Sequence, residues 1–224
     1  ILSDMATSIL KAMVMADYPV WKSGVTLASI AAICTALVAL TWQLTAERIE
    51  ANKKMWLEQS LQPALAGLFF DSPVTESVIT IRPPHSLPGS RAVVVYRVYA
   101  GSAPVAALFD VTARDGYAGP IRMLVGIAMN GTLTGVRVIE HRETPGLGDR
   151  VDLLKSDWVL QFNGHSLSNP NATQWAIKRD GGDYDQLTGA SVTPRAVIKA
   201  IKETLIYFSA NRDAIFAAPN EGAS

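Results

Sequence analysis

Cysteine is almost absent. Cys34 is the only one in 224 residues, so the chain alone can build no internal disulfide framework and no four-cysteine zinc or iron–sulfur site. Histidine is scarce too. His85, His141 and His165 are far apart and match no metal spacing such as HExxH. Net charge is also missing: 20 basic side chains face 20 acidic ones, which leaves no basic footprint for nucleic acid. No βαβ alternation carries a GxGxxG turn, which disfavours a doubly wound dinucleotide-binding fold. No general acid, nucleophile triad or metal cluster is visible, so no substrate turnover is expected from the isolated chain.

What is present is apolar. Hydrophobic residues make up 49% of the chain and charged ones 18%, a balance that excludes wholesale disorder. Residues 23–46 contain no charge at all. At the helical rise they reach about 36 Å, against about 30 Å for a hydrocarbon core. Trp21 and Trp42 stand near the two ends, where an aromatic belt would lie. A cleaved signal peptide fits poorly, because the run is too long and starts too late. Residues 23–46 are therefore expected to form a transmembrane helix. Lys11 and Lys22 precede it, while Arg48, Lys53 and Lys54 follow it, so positive-inside counting leaves the orientation open. Residues 1–22 form a separate N-terminal segment with the makings of a short interfacial helix.

The remainder is large enough for one ordinary core. Apolar Ile49, Met55, Leu57, Leu61, Leu65 and Leu68 recur at helical spacing, which predicts a helical connector within residues 47–75. Pro63 is expected to kink or break it. Ala92–Ala100 and Val105–Arg114 read as strands. Ile121–Met129 and Leu133–Glu140 read as a hairpin across Asn130-Gly131. Trp158–Phe162 is ambiguous, and Pro194–Ala210 reads as a closing helix. The expected class is α+β: one transmembrane helix, then a mostly antiparallel α+β domain over residues 76–216, with a tail at 217–224.

Two segments carry the chemistry. The first, residues 181–195, reads GGDYDQLTGASVTPR. It is a loop running into a helix, with Thr193 as the expected N-cap and Pro194 as the first helical residue. Small residues and hydroxyls just before a helix N-terminus suit either a plain cap or a phosphate group. The second, Glu143-Thr144-Pro145-Gly146-Leu147-Gly148, is a glycine-rich connection after a strand.

Asp185-x-x-Thr188-Gly189-Ala190-Ser191 resembles the flavinylation motif D-x-x-[ST]-G-A-[TS] of the FMN-binding domains in Rnf and sodium-translocating NADH:quinone reductase complexes. Glu143 to Gly148 is similar to that family's ETPGLG loop, and the two segments occur in the family's order. The resemblance covers roughly residues 23–210 and is greatest to the branch found in Rnf (also called Rsx) complexes. The homologous C subunit of the sodium pump is the relative most easily confused with that branch.

The resemblance implies FMN joined to Ser191 by a phosphodiester bond. The family's usual acceptor is threonine; serine keeps the hydroxyl and lacks a methyl group. It implies that Glu143, Thr144 and Leu147 flank the flavin ring, with amides of Gly146 to Gly148 on its polar edge. Thr188, Gly189, Ala190 and Thr193 complete the cofactor-binding set, and Asp185 serves recognition by the flavin transferase. The implied role is an electron relay in a membrane-bound translocase coupling ferredoxin/NAD electron transfer to Na+ or H+ transport. The implied partners are integral and iron–sulfur subunits of the complex, and membrane lipid. The implied place is the bacterial inner membrane, with a cytoplasmic N-terminus and a periplasmic FMN domain. Two other readings stand beside it: a flavin subunit of a sodium-translocating NADH:quinone reductase, and a membrane-anchored binding module without flavin.

Other residues receive simpler expectations. His141 is assigned a structural hydrogen bond, and His85 and His165 a solvated loop position. Asp183 and Tyr184 are read as loop residues. Trp158 and Trp175 either pack or stack on the ring. Lys199, Lys202 and Glu203 form a solvated helix face.

Overall fold

The computed structural model describes residues 20–65, 67–68, 70–71, 74–89 and 91–219, without the side chains of 20, 47 and 49–63. The chain divides into two units, Ile1–Lys54 and Met55–Ser224.

Helix α1, Val20–Ala64, makes up the described part of the first unit, and its last turns, from Met55 on, belong to the second. Its Trp21–Ala46 stretch has a mean hydropathy of 2.1 and is long enough to cross a membrane. Leu27, Ile30, Val38 and Trp42 stand exposed, as side chains facing lipid would. The hydroxyls of this stretch do not compete with that environment. Thr26, Ser29, Thr35 and Thr41 donate to backbone carbonyls one turn earlier in the same helix. The N-terminal segment lies outside the described residues, as do the side chains of Ile49, Met55, Leu57 and Leu61. The helix ends at Ala64, so Pro63 falls in its last turn and does not split it. The helix therefore stops short of Leu65 and Leu68.

The second unit is an antiparallel meander with a closing helix. Strands β1 (Val78–Ile81), β2 (Val93–Ala100), β3 (Ala103–Ala113), β4 (Ile121–Ala128) and β5 (Leu133–Glu140) lie side by side in chain order. The α+β expectation holds. Four strands coincide with β-branched runs bounded by turn residues. The Asn130 turn differs in detail. Ala128 and Thr132 close it, Gly131 has φ +85°, and Asn130 Oδ1 accepts from the Thr132 amide at 3.0 Å. That makes a three-residue loop ending in a left-handed glycine, rather than a two-residue turn.

Both faces of the sheet are covered. On one face Tyr96, Val98, Leu108 and Leu124 pack with Ala64, Leu65 and Val74. The carbonyl of Ala64, left over at a helix end, accepts the Thr134 hydroxyl at 2.6 Å. On the other face lies helix α2, Val192–Ala217. Val197, Ile201, Leu205 and Phe208 recur at helical spacing and are buried against it. Each such side chain contributes about 1.5–3 kcal/mol of apolar transfer. Phe208 meets Phe109 of β3 edge-on, with ring centroids 6.1 Å apart. Between β5 and α2 the chain runs through short 3-10 turns, including Gly148–Val151 and Asp157–Phe162. The ambiguous 158–162 stretch is thus helical, and Trp158, Val159 and Phe162 supply its buried side.

Candidate functional site

The two sequence motifs meet at the N-terminus of α2. Leu187 to Ala190 form a tight turn, closed by the Ala190 amide donating to the Leu187 carbonyl at 3.1 Å. Gly189 sits in it at φ +80°, where a side chain would be strained. A Cβ there would also come within 2.8 Å of Leu147 Cδ2, so this turn lies directly on the 143–148 loop.

Ser191 follows the turn as the N-cap residue, and its side chain makes no capping hydrogen bond. This corrects the expected cap at Thr193. Thr193 lies inside the helix, is fully buried, and donates its hydroxyl to Glu143 Oε2 at 2.5 Å. Pro194 takes the third helical position. An N–H there would have no intrahelical acceptor, so proline loses nothing. Ser191 is thereby left with a hydroxyl that the helix does not use.

Glu143 is the hub of the site. Its carboxylate is buried, with Oε1 accepting the Ala118 amide at 3.1 Å and Oε2 the Thr193 hydroxyl. Its own amide donates to His141 Nδ1 at 3.2 Å, the structural role expected of that histidine. Three segments are thus joined: the β3–β4 connection, the loop after β5 and the start of α2. Gly148 makes the join possible. A Cβ at 148 would lie 2.6 Å from Glu143 Oε2 and 2.9 Å from Thr193 Oγ1. Both Glu143 oxygens face protein donors, so its part is to hold the loop in place. The Leu147 amide is likewise engaged, donating to the Thr144 carbonyl at 3.1 Å.

Around this hub is a cleft of about 350 Å³. Glu143, Thr144, Leu147 and Gly148 border it on one side; Gly189, Ala190, Ser191 and Thr193 border it on the other. Two further lining residues, Tyr117 and Val192, were not anticipated from sequence. Tyr117 is 73% exposed on the Gly116–Gly119 connection. The one signal that could have found it is a lone aromatic between glycines.

Asp185 and Thr188 are not in the cleft. They border a separate groove with Arg150 and Lys178. The Asp185 backbone is pinned by the Gln161 side chain (2.8 Å) and the Trp158 indole (2.6 Å). Its exposed carboxylate pairs with Lys178 at 2.5 Å. Gly146 does not border the cleft; it shapes the loop, with φ +79°.

Several simpler expectations change. Trp158 and Trp175 do not reach the cleft; they pack with Phe162 and Tyr184 in an aromatic cluster. Tyr184 is a buried core residue, and burial pushes its phenol well above its ordinary pKa. His165 is not simply solvated, since its Nδ1 lies 3.1 Å from the Tyr184 hydroxyl. His85 Nε2 contacts the Arg91 carbonyl at 2.9 Å. On α2, Lys199 pairs with Asp115 at 2.6 Å, and this bond raises the lysine pKa. Arg195 binds both oxygens of Asp180, at 2.6 and 2.8 Å, and this holds the Asp180 carboxyl below its usual range.

The cleft offers two kinds of chemistry side by side. The start of a 26-residue helix presents backbone amides and the positive end of its dipole beside an unused hydroxyl. Next to it Tyr117, Leu147 and Val192 offer exposed apolar surface. A phosphate attached to a flat aromatic group fits both halves, in a space of the size small-molecule sites have.

Residues 116–206 match the FMN-binding domain family, a span that contains every residue of this cleft. Residues 15–63 match the family described as the RnfG N-terminal region. The chain is 42% identical over 200 residues to the G subunit of the ion-translocating oxidoreductase complex of Pseudoalteromonas atlantica, covering 89% of this chain and 93% of that protein. It is 40% identical over 199 residues to the protein of the same name from Vibrio cholerae, covering 89% and 95%. It is 41% identical over 198 residues to that of Shewanella loihica, covering 88% and 93%.

Proposed function

The chain belongs to the RnfG family of ion-translocating oxidoreductase complex subunits and carries an FMN-binding domain, and from that premise we propose that it relays electrons through FMN bonded covalently to Ser191. The observation that carries this reading is the Ser191 hydroxyl. It stands at the N-terminus of α2, makes no capping bond, and borders the cleft shared by both motifs.

Bound FMN supplies one- and two-electron chemistry; the protein supplies orientation and electrostatics. The Ser191 oxygen would accept the flavin phosphoryl group from a dinucleotide donor, breaking that donor's phosphoanhydride bond with its other phosphate and the serine proton leaving, and the remaining phosphate charge would be stabilised by the α2 amides and dipole. Glu143 and Thr193 hold the loop and the helix together, so the cleft keeps its width. Leu147 and Val192 give the ring an apolar bed and keep water from its inner side. The Gly148 amide, on the cleft wall, would be a donor for its polar edge, while Gly146 only shapes the loop. Asp185 and Thr188, turned to the outer groove, are the recognition face for the flavin transferase. That assignment rests on their exclusion from the cleft.

The Trp21–Ala46 helix anchors the chain in the inner membrane. The N-terminus lies in the cytoplasm and the FMN-binding domain, residues 76–216, in the periplasm. There the domain exchanges electrons with integral and iron–sulfur subunits, in a complex that couples ferredoxin/NAD electron transfer to Na+ or H+ transport. The support for this arrangement is family membership together with the exposed apolar helix.

The test is a denaturing gel of the chain expressed with an active flavin transferase, viewed under ultraviolet light. A fluorescent band that disappears in Ser191→Ala, with the flavin peptide mapped to Ser191 by mass spectrometry, is the expected result. A dark wild-type band, or fluorescence retained in Ser191→Ala, overturns it.

A further inference from the structure

Resting on the reading of the cleft as an FMN site, we propose that Tyr117 is a ring-positioning residue whose side chain covers the isoalloxazine. The Asp115–Gly119 connection is then a third wall of the site, beyond the two sequence motifs.

This connection is tied to other elements on both sides of Tyr117. At one end Asp115 is paired with Lys199 of α2 at 2.6 Å. Beyond Tyr117, the Ala118 amide donates to the buried Glu143 carboxylate at 3.1 Å. The turn is also tight: a Cβ on Gly116 would lie 2.2 Å from the Gly119 carbonyl and 2.9 Å from Glu143 Oε1. Both anchors therefore lead to elements of the cleft, α2 and the Glu143 hub. Yet the aromatic side chain between them is 73% exposed while lining that cleft. A rigid connection that leaves a large ring uncovered at the mouth of an apolar site suits a flat ligand. Leu147 and Val192, partly exposed on the same cleft, offer aliphatic surface only. Tyr117 is the aromatic side chain that borders the cleft, whereas Trp158 and Trp175 are committed to the core.

The experiment measures iodide quenching of flavin emission in the folded, full-length, FMN-loaded chain. Quenching is read on the covalently loaded fraction of each variant, so a lower yield of loading in Tyr117→Ala does not enter the comparison. The Tyr117→Ala quenching constant should rise at least twofold, because one face of the ring has lost its cover. Tyr117→Phe should keep the wild-type constant, because the ring rather than the hydroxyl does the covering. A loaded Tyr117→Ala chain that quenches like wild type overturns the proposal and leaves the FMN reading intact. So does a Tyr117→Phe chain that quenches like Tyr117→Ala. A wild-type chain without covalent flavin overturns the FMN reading itself.

Discussion

The Thr193 hydroxyl and the Glu143 carboxylate meet at 2.5 Å although 50 positions separate them in the chain. The bond joins the two motifs of the site, and both groups are buried. Removing the donor leaves a carboxylate oxygen facing no partner. Thr193→Val keeps the shape and deletes the hydroxyl, so it should cost about 1–3 kcal/mol. Thr193→Ser, which keeps the hydroxyl, should recover most of that. Urea unfolding followed by fluorescence of the buried tryptophans measures both. Equal midpoints for wild type and Thr193→Val would show that the bond contributes nothing.

Gly189 makes a separate prediction. Its φ of +80° is costly for any L side chain, and a Cβ added there would meet the flexible end of Leu147 at 2.8 Å. Gly189→Ala should therefore destabilise the turn by about 1–2 kcal/mol from the backbone alone. Adding Leu147→Ala relieves the contact but leaves the backbone strain. The double variant should still incorporate less FMN than Leu147→Ala by itself. Equal flavin loading in those two would mean that the turn tolerates a side chain.

Much of this was legible in the sequence, and the exceptions have physical causes. Strands β2 to β5 are β-branched runs between turn residues, a local signal that survives folding. Strand β1 is four residues long and leads into Arg82-Pro83-Pro84, so its identity depends on pairing with β2. Thr193-Pro194 satisfies the local rule for a helix start, but Glu143 captures the hydroxyl, and the cap moves to Ser191. Tertiary bonds of this kind leave no periodicity to read. Tyr184 looks like a loop residue because its stretch is rich in glycine and aspartate, yet it sits among Phe162, Trp175 and His165. Tyr117 is a single aromatic in a turn, invisible until Asp115 and Ala118 are seen tied to other elements.

Arg97 tests how the far end of α2 is held. It is buried in β2, and its guanidinium donates to the Ala218 carbonyl at 2.6 Å, the Ile215 carbonyl at 3.4 Å and the Ser77 hydroxyl at 3.0 Å. A fixed cation there matches the negative end of the helix dipole and satisfies carbonyls that the helix cannot. Arg97→Met should cost about 2–3 kcal/mol, and Arg97→Lys should recover only part of it, since lysine has no planar fork. Hydrogen exchange should speed up in the last two turns of α2 and stay unchanged around Ser191. Uniform exchange along the helix would count against this local role.

Asp180 and Arg195 give a prediction in pH. Arg195 lies in the first turns of α2, and its two hydrogen bonds hold the Asp180 carboxyl below its ordinary value. A carboxyl with a lowered folded-state pKa adds stability that is fully present above its unfolded value, about 3.9. The contribution is lost as pH falls through the lowered value, because the unfolded chain takes up the proton first. Arg195→Met removes the partner. The gap in melting temperature between wild type and this variant should be constant from about pH 5 to 8, then narrow and close below about pH 4. Both groups are well exposed, so the gap should be small and should shrink with added salt. A gap that persists unchanged into acid would mean that the Arg195 stem matters more than its charge.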